Sequence, residues 1–246
     1  MDSTQVTDGT GDARIVQLGG RNFSIPSPVQ AAYAIRGAGL KYNSALLAGL
    51  DKAGAITDRS RRSLFLGMLG ADMAYVTVHG DGQKALATLQ TIERIGSELE
   101  LSNAFDRALL ERFKTNLGSE DSLLRFSGVA FRAADQYLKD NDRMEVSAYV
   151  LAGGWVESLH LTVSDPAAAD NAALMARIGE QRRSLDDLVA LIGSLPDEEQ
   201  DLRLLEGLKG LQVTFSGITS TYAYEAPVTE VAQRTTFINS KSGVVI

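Results

Sequence analysis

Two stretches of the chain share one pattern of apolar residues, glycines and a single acid, and this similarity restricts the fold more than any other feature. The first stretch is Leu66–Val78 (LGMLGADMAYVTV) and the second is Leu151–Val163 (LAGGWVESLHLTV). They align without a gap at an offset of about 85 residues, and self-similarity at a fixed spacing indicates an internal repeat. In both, the acids Asp72 and Glu157 fall at equivalent positions on an apolar helical face. The sequence therefore predicts a duplicated helical core that contains two acids.

Capping and helix-ending residues divide the rest of the chain into helical segments. Ser27-Pro28 is a typical helix start, because Ser caps the first turn and Pro fits its first position. A helix to about residue 36 is predicted there, followed by a short helix near 44–52. The main body is predicted to contain about eight helices in two similar halves, 59–139 and 143–215. Their predicted ranges are 59–79, 82–98, 104–116, 120–139, 143–163, 167–180 and 182–194, with the eighth beginning at 197.

The two ends of the chain differ in composition from the body. Residues 1–25 are polar and Gly-rich, which predicts a flexible tail. Apolar and polar residues alternate over Leu211–Phe215, which is the period of a strand. We therefore predict an all-α fold, a bundle of two pseudo-repeated halves in a single domain over 26–222. An irregular or strand-like segment over 223–246 is predicted to follow it.

Four glycines lie inside the two predicted helices that carry the acids. Gly67 and Gly70 belong to the first helix, and Gly153 and Gly154 belong to the second. Glycine in a helix interior costs about 1 kcal/mol relative to alanine, so these positions need an explanation. Either the two related helices pack closely at the glycines, or the glycines leave space for a ligand. The first interpretation predicts that leucine at Gly153 or Gly154 would clash, and the second that it would fill the ligand space.

The composition excludes several kinds of site. The 246 residues include no cysteine, which rules out disulfides, thiolate metal ligands, iron–sulfur clusters and a cysteine nucleophile. The net charge is -7 and Lys and Arg form no cluster, so we expect no nucleic-acid or anionic-membrane surface. No apolar run reaches the length of about 18 residues that a spanning helix needs, so we expect no transmembrane segment.

Each acid also begins a short polar motif. Glu157 precedes His160 with the Glu-x-x-His spacing found in di-iron bundles, and the equivalent motif is Asp72-x-x-Tyr75, with His79 one turn later. Three interpretations remain open. The residues could form a buried network in which Tyr75 and His160 satisfy the acids, a polar pocket for a small organic ligand, or an incomplete metal site.

Trp155 is the single tryptophan and follows two glycines. We predict that it anchors the core. In the ligand-pocket interpretation it joins Asp72, Tyr75, Glu157 and His160 as a ligand-binding residue. No His-Glu-x-x-His, nucleophile elbow or P-loop motif occurs, so the sequence assigns no catalytic residue, no metal ligand and no cofactor.

Three segments resemble an uncharacterised family of exported, often lipid-anchored, all-helical proteins from Bacteroidota. They are Leu66–Val78, Ala104–Phe113 (AFDRALLERF) and Leu151–His160, and the likeness extends over about residues 28–246. The resemblance implies an extracytoplasmic protein, periplasmic or outer-membrane-associated, with a lipid anchor in its full-length precursor. It also implies one more helix after Ile246, so that an apolar surface near the C-terminus would be uncovered. The family brings no known activity, and no catalytic residue is carried over.

The sequence leaves two classes of function open. The first is a non-catalytic extracytoplasmic scaffold or binding module with an unknown protein or small-molecule partner, which the lack of catalytic motifs favours. The alternative is a small-ligand or metal-binding protein, or an enzyme, that uses Asp72 and Glu157 with Tyr75 and His160. If the acids are packed without a cavity, the alternative fails. The polar first residues suit a cytoplasmic protein as well as an exported one, so the sequence leaves the compartment open.

Overall fold

The computed structural model describes residues 14–18, 21–25, 27–101, 111, 115, 143–223, 228–230, 235–237 and 241–245. These residues are mostly helical, which confirms the predicted helical class. Their α-helices are α1 (Pro28–Gly37), α2 (Arg59–Val78), α3 (Gly82–Glu98), α4 (Met144–Val163), α5 (Ala172–Ile192) and α6 (Leu202–Phe215). Short 3-10 helices cover Ser44–Leu46, Leu50–Ala55, Pro166–Asp170 and Asp197–Glu199. The helices predicted over 104–116 and 120–139 lie outside the described residues, apart from Glu111 and Thr115, which are helical.

Side-chain caps determine where the first helices begin. Ser27, Asp58 and Asp81 each accept a hydrogen bond from a backbone N–H of the first turn, a donor that has no partner inside the helix. Gly39 and Gly80 follow α1 and α2 with positive φ, a conformation that favours glycine and ends the helix. Helices α2 and α3 therefore lie where the capping residues predict them.

The second half of the chain differs from prediction in one helix. The prediction of two separate helices over 167–180 and 182–194 is wrong. The chain instead forms a 3-10 helix at Pro166–Asp170 and then the continuous helix α5. Ile178 and Leu185, about two turns apart, are both buried, so one apolar face continues through the predicted break.

Helix α6 corrects the strand predicted over Leu211–Phe215. Leu208 and Phe215 are buried and Leu211 is partly buried, which is the spacing of one helix face. Val213 is 75% exposed on the other side of the helix. An alternation this short does not distinguish a strand from the last turns of a helix.

A hairpin occupies part of the segment that was predicted to be a flexible tail. Strand β1 (Arg14–Leu18) pairs antiparallel with β2 (Arg21–Ile25). The expectation of a flexible tail over 1–25 is therefore corrected for these two strands. Their sequences contain Ile and Val on either side of Gly19-Gly20, and such a glycine pair between strand-forming residues favours a hairpin.

Four short strands follow α6. They pair antiparallel, β3 with β6 and β4 with β5, and their ranges are β3 (Thr219–Ala223), β4 (Val228–Glu230), β5 (Thr235–Phe237) and β6 (Lys241–Val245). β2, β3 and β6 lie against α5. Strands from both ends of the chain are thus brought to the same helix.

Helices α2 and α4 form the centre of the described structure. Their mutual contact is the most extensive between helices of the described chain, and α1 and α3 pack against α2 while α1 and α5 pack against α4. Tyr75, Tyr149 and Trp155 belong to the same cluster of buried side chains. The two helices that carry the acids therefore face each other in the core. Among the described residues, no helix is both long and apolar enough to cross a membrane.

Candidate functional site

The two acid-bearing helices run side by side in the same direction. Near their first turns, Arg59 Nη2 lies 3.4 Å from Glu145 Oε1. Farther along both helices, the carboxyl groups of Asp72 and Glu157 lie within hydrogen-bonding reach of each other. Because both pairs advance together along α2 and α4, the helices are parallel. The two equivalent acids of the repeated stretches therefore meet across the interface.

Glycines allow the two backbones to approach closely. A Cβ at Gly67 would overlap the carbonyl oxygen of Val150, and a Cβ at Gly153 would overlap the carbonyl oxygen of Leu64. Each helix thus presents a backbone carbonyl to the bare Cα of the other, an arrangement that suits weak Cα–H···O contacts. The close-packing interpretation is confirmed for Gly67 and Gly153.

Gly154 is in a different environment. The nearest atoms to a Cβ at this position are the carbonyl oxygen of Gly67 at 3.4 Å and Cγ of Pro28 at 3.7 Å. These are ordinary van der Waals distances, so an alanine fits at Gly154. The clash predicted for both glycines of this helix is therefore severe at Gly153, whereas at Gly154 it needs a side chain larger than alanine.

Asp72 and Glu157 are buried, as the sequence predicts, with exposed fractions of 1% and 3%. The backbone N–H of Ala48 donates to Asp72 Oδ2 at 2.9 Å. Ala48 belongs to the irregular segment between α1 and α2. Lys52, in the same segment, lies close enough for its positive charge to act on Glu157. This segment therefore supplies both a hydrogen-bond donor and a positive charge to the acid pair.

The two carboxyl groups are arranged to share one proton. Oδ1 of Asp72 and Oε1 of Glu157 meet no donor among the described residues, and two ionised carboxylates cannot donate to each other. Burial raises the pKa of Asp72 to about 8, the charge of Glu157 raises it as well, and the N–H of Ala48 lowers it. Burial also raises the pKa of Glu157. The charges of His160 and Lys52 and the hydrogen bond from Asp72 act to lower it. Burial and mutual repulsion therefore favour a state in which the pair holds one proton at neutral pH.

Tyr75 and His160 do not bind the acids, contrary to the predicted network. The hydroxyl of Tyr75 accepts from the N–H of Asn43 at 3.0 Å and donates to the carbonyl of Lys41 at 3.4 Å. His160 is exposed, and its Nδ1 lies 3.1 Å from Ser164 Oγ. Three residues advance a helix by about 300°, so each side chain lies about 60° around the helix from its acid. Both motifs lie on helices, as the spacing predicts, but this rotation directs Tyr75 and His160 to partners other than the acids.

His79 lies in an aromatic cluster. Its ring stacks on Tyr42 with centroids 5.4 Å apart, and it is tilted against Tyr75 with centroids 4.7 Å apart. Burial, and then the charge of Arg36, lower the pKa of His79. The hydroxyl of Tyr42 donates to Asp81 Oδ2 at 2.7 Å, so the cluster joins the segment after α1 to the start of α3. His79 therefore has a packing role in this structure.

Trp155 lies in the core, as predicted, with an exposed fraction of 4%. Its Nε1 donates to Gln181 Oε1 at 3.1 Å, and its ring lines a cavity of about 190 Å³ between α1, α4 and α5. Tyr75 lines a separate cavity of about 240 Å³. Neither Asp72 nor Glu157 lines these two cavities or two others of about 430 Å³ and 320 Å³. None of these four cavities is lined by the five predicted ligand-binding residues together.

Two contributors to the acid pair have no signal in the sequence. Ala48 acts through its backbone N–H, which every residue except proline carries. Lys52 lies in the 3-10 helix Leu50–Ala55, and its position relative to Glu157 depends on how this segment packs against α4 in the folded chain. Within the ranges that the structure describes, no three His, Cys, Asp or Glu side chains come together to hold a metal ion.

Comparison with known proteins identifies no relative. No family model, no curated protein and no solved structure matches the chain. Any functional assignment therefore depends on the acid pair, the close helix contact and the cavities.

Proposed function

We propose that this protein is a non-catalytic helical scaffold or binding module in which the acid pair joins α2 to α4. The proposal is carried by the burial of Asp72 and Glu157 against each other, with the N–H of Ala48 bound to Asp72. A catalytic acid needs an open path to its substrate. These carboxyl groups contact each other and the backbone instead. Their hydrogen bond across a close helix contact fixes the register of the two helices.

We further propose that α2 and α4 are equivalent helices of a duplicated fold of about eight helices. The contacts of Gly67 with Val150 and of Gly153 with Leu64 support this, since they are reciprocal to within one residue of the alignment that places Asp72 on Glu157. In each helix the glycine follows, by one turn, the residue whose carbonyl meets the glycine of the other helix. Two copies of one helix that pack around a local two-fold axis give contacts of this kind.

The same proposal places the protein outside the cytoplasm, in the periplasm or at the outer membrane, with a lipid anchor in its precursor. Its support is the resemblance of Leu66–Val78 and Leu151–His160 to exported helical proteins of Bacteroidota. The partner is an unidentified protein or small molecule. Fractionation of the native host, followed by immunoblotting, tests the location. We expect the protein in the cell-envelope fraction, and recovery from the cytosol would contradict the proposal.

A second candidate function is a small-ligand or metal-binding protein, or an enzyme, that uses the acid pair with Tyr75 and His160. One observation favours it. Oδ1 of Asp72 and Oε1 of Glu157 have no donor among the described residues, and a cation would satisfy both oxygens as a shared proton does. Carboxylate oxygens suit hard cations. Ca²⁺, for example, takes about 6–8 oxygen ligands, of which two carboxylates supply only a part.

Native mass spectrometry with metal analysis, on protein purified from its own host, separates the two functions. The scaffold proposal expects no metal or ligand whose binding depends on the acid pair. A metal or small molecule bound one to one in the native chain, and lost from the double variant Asp72→Asn/Glu157→Gln, would overturn it. The control is Glu206→Gln, which removes one negative charge, as the loss of a proton-sharing acid pair does, from an exposed position.

A further inference from the structure

A groove runs between α1, α4 and α5, and neither acid of the pair lines it. Two adjacent cavities form it, one of about 190 Å³ and one of about 430 Å³. Gln30, Ala34, Leu174 and Arg177 line both cavities, so the two are neighbouring parts of one depression. Its size suits a small ligand, since pockets for drug-sized molecules have volumes of about 300–1,000 Å³.

The floor of the groove is apolar and held in place. Trp155, Leu174 and Ile178 are buried and line the first cavity. The indole of Trp155 is oriented by its hydrogen bond to Gln181 Oε1, and Nε2 of Gln181 donates to the carbonyl of Arg177 at 3.1 Å. A floor fixed in this way loses little side-chain freedom when an apolar group is placed on it.

The two hydroxyl groups that α4 contributes to the groove have no proton to offer a ligand. Ser158 Oγ donates to the carbonyl of Gly154 at 2.7 Å, and Thr162 Oγ1 donates to the carbonyl of Ser158 at 2.6 Å. Each hydroxyl has one proton and donates it to a carbonyl of its own helix. At the start of α1, Ser27 Oγ accepts from the N–H of Val29, so a polar group of a ligand is recognised by donors on α1 and α5 rather than on α4.

Arg177 is the charged donor at the place where the two cavities meet. Its side chain is exposed and makes no hydrogen bond or ion pair with another residue of the described chain. A guanidinium group presents several N–H donors in one plane, which matches the two oxygens of a carboxylate. Glu180 lines the first cavity only, so Arg177 is the charged residue that both cavities share, above an apolar floor.

We propose that this groove binds a small amphiphilic carboxylate, with its apolar body on Trp155 and its carboxylate on Arg177. The proposal rests on the assignment of the protein as a binding module and adds the site and the chemical class of its ligand. It uses none of the acid-pair residues. The acid pair holds α4, which carries Trp155, against α2, and Arg177 provides the charge selection.

The single tryptophan gives a direct measurement of binding, because Trp155 forms part of the floor. The probes are octanoate, 1-octanol and octylammonium, which share a chain length and differ in the charge of the head group. We expect octanoate to change the fluorescence of Trp155 saturably, and the neutral and cationic probes to bind at least about tenfold more weakly. Equal binding of all three probes, or no saturable response to octanoate, would overturn the proposal.

Matched variants test the two parts of the groove. Arg177→Gln should weaken octanoate binding by about tenfold or more, whereas Arg183→Gln, on the same helix and outside the groove, should leave it unchanged. Ala34→Phe should block the groove without changing charge. Circular dichroism and thermal melting check that each variant is folded. Unchanged octanoate binding in both Arg177→Gln and Ala34→Phe would overturn the proposal.

The test also keeps this proposal separate from the scaffold assignment. If octanoate fails to bind and the acid-pair variants also hold no ligand, the groove proposal fails and the scaffold assignment stands. If octanoate binding is lost in a folded Asp72→Asn/Glu157→Gln variant and is retained in Arg177→Gln, both proposals fail.

Discussion

At the scale of single residues, Asp72 and Glu157 are the most unusual side chains, because charged groups are seldom fully buried. A lone acid at this interface would need its own donors or its own proton. A pair needs one proton for both groups, because the protonated carboxyl donates to the ionised one. Burial of the pair is therefore linked to proton binding, and the stability of the fold depends on pH.

We expect the free energy of unfolding to fall as the pH rises from about 4 to about 8. The pKa of Asp72 in the folded chain is about 8, above its ordinary value of 3.8. Between these values the folded chain holds a proton that the unfolded chain has released, so the stabilisation is complete only below the lower value. Asp72→Asn does not titrate, and its amide N–H replaces the shared proton. Urea denaturation between pH 5 and pH 8 should show a flatter dependence for this variant, and higher stability than wild type at pH 8.

His79 titrates in both proteins, whereas the titration of Glu157 depends on its partner, so the comparison reports on the acid pair as a whole. Parallel pH dependence for wild type and Asp72→Asn would show that the pair shares no proton.

Alanine at either acid tests the hydrogen bonds themselves. Asp72→Ala leaves the N–H of Ala48 and the carboxylate of Glu157 without their partner, and Glu157→Ala leaves Asp72 without its acceptor. We expect each substitution to destabilise the fold by about 1–3 kcal/mol at neutral pH. Thermal melting of both variants measures this cost, and two unchanged melting temperatures would argue that the acids make no stabilising contact.

The sequence predicts the burial of the acids but not their partners. An acid on an apolar helix face must enter the core together with that face, so burial follows from local periodicity. The partner of Asp72 is a backbone N–H from an irregular segment, and no side-chain pattern marks Ala48. Tyr75 and His160 are near the acids in sequence, but the helix rotation directs them to other groups.

At the scale of helices, the contact between α2 and α4 is set by Gly67 and Gly153. Each of these glycines meets a backbone carbonyl, which cannot move without moving its whole helix. Gly154 is adjacent in sequence, and its nearest contacts are longer. The two neighbouring glycines therefore have different structural roles.

We expect Gly153→Ala to cost more than about 2 kcal/mol, because the added methyl group must push the two helices apart. Gly154→Ala places its methyl group 3.4 Å from the nearest atom. It should be neutral or slightly stabilising, since alanine favours a helix over glycine by about 1 kcal/mol. Chemical denaturation of both variants measures the free energy of unfolding for the same substitution at two adjacent positions. Equal stability of the two would mean that α2 and α4 are not held in close contact.

Helix positions follow from the sequence where a cap or a breaking residue marks them. Asp81 caps α3 and gives its range directly. Within α5 no proline marks an end between residues 172 and 192, so local composition cannot place one. The strand predicted near Leu211 was wrong because the tertiary packing of Leu208 and Phe215 decides the outcome.

At the scale of the whole molecule, the duplication remains a prediction with a direct test. In an experimental structure of the full chain, superposition of residues about 59–139 on about 143–215 should bring Asp72 onto Glu157. Because α5 is a single helix, the match should be closest over α2 and α4 and weaker beyond them. Two halves with different helix order or direction would contradict the duplication.

The contact between α2 and α4 also determines when the core can form. During synthesis α2 leaves the ribosome well before α4 has been made, so the apolar face around Gly67 has no partner in that interval. Contacts between residues distant in sequence form slowly, because the intervening chain must first close a large loop. Arrival of α4 on α2 is therefore the expected slow step of folding. Until then, the most deeply buried surface of the native protein is open to aggregation.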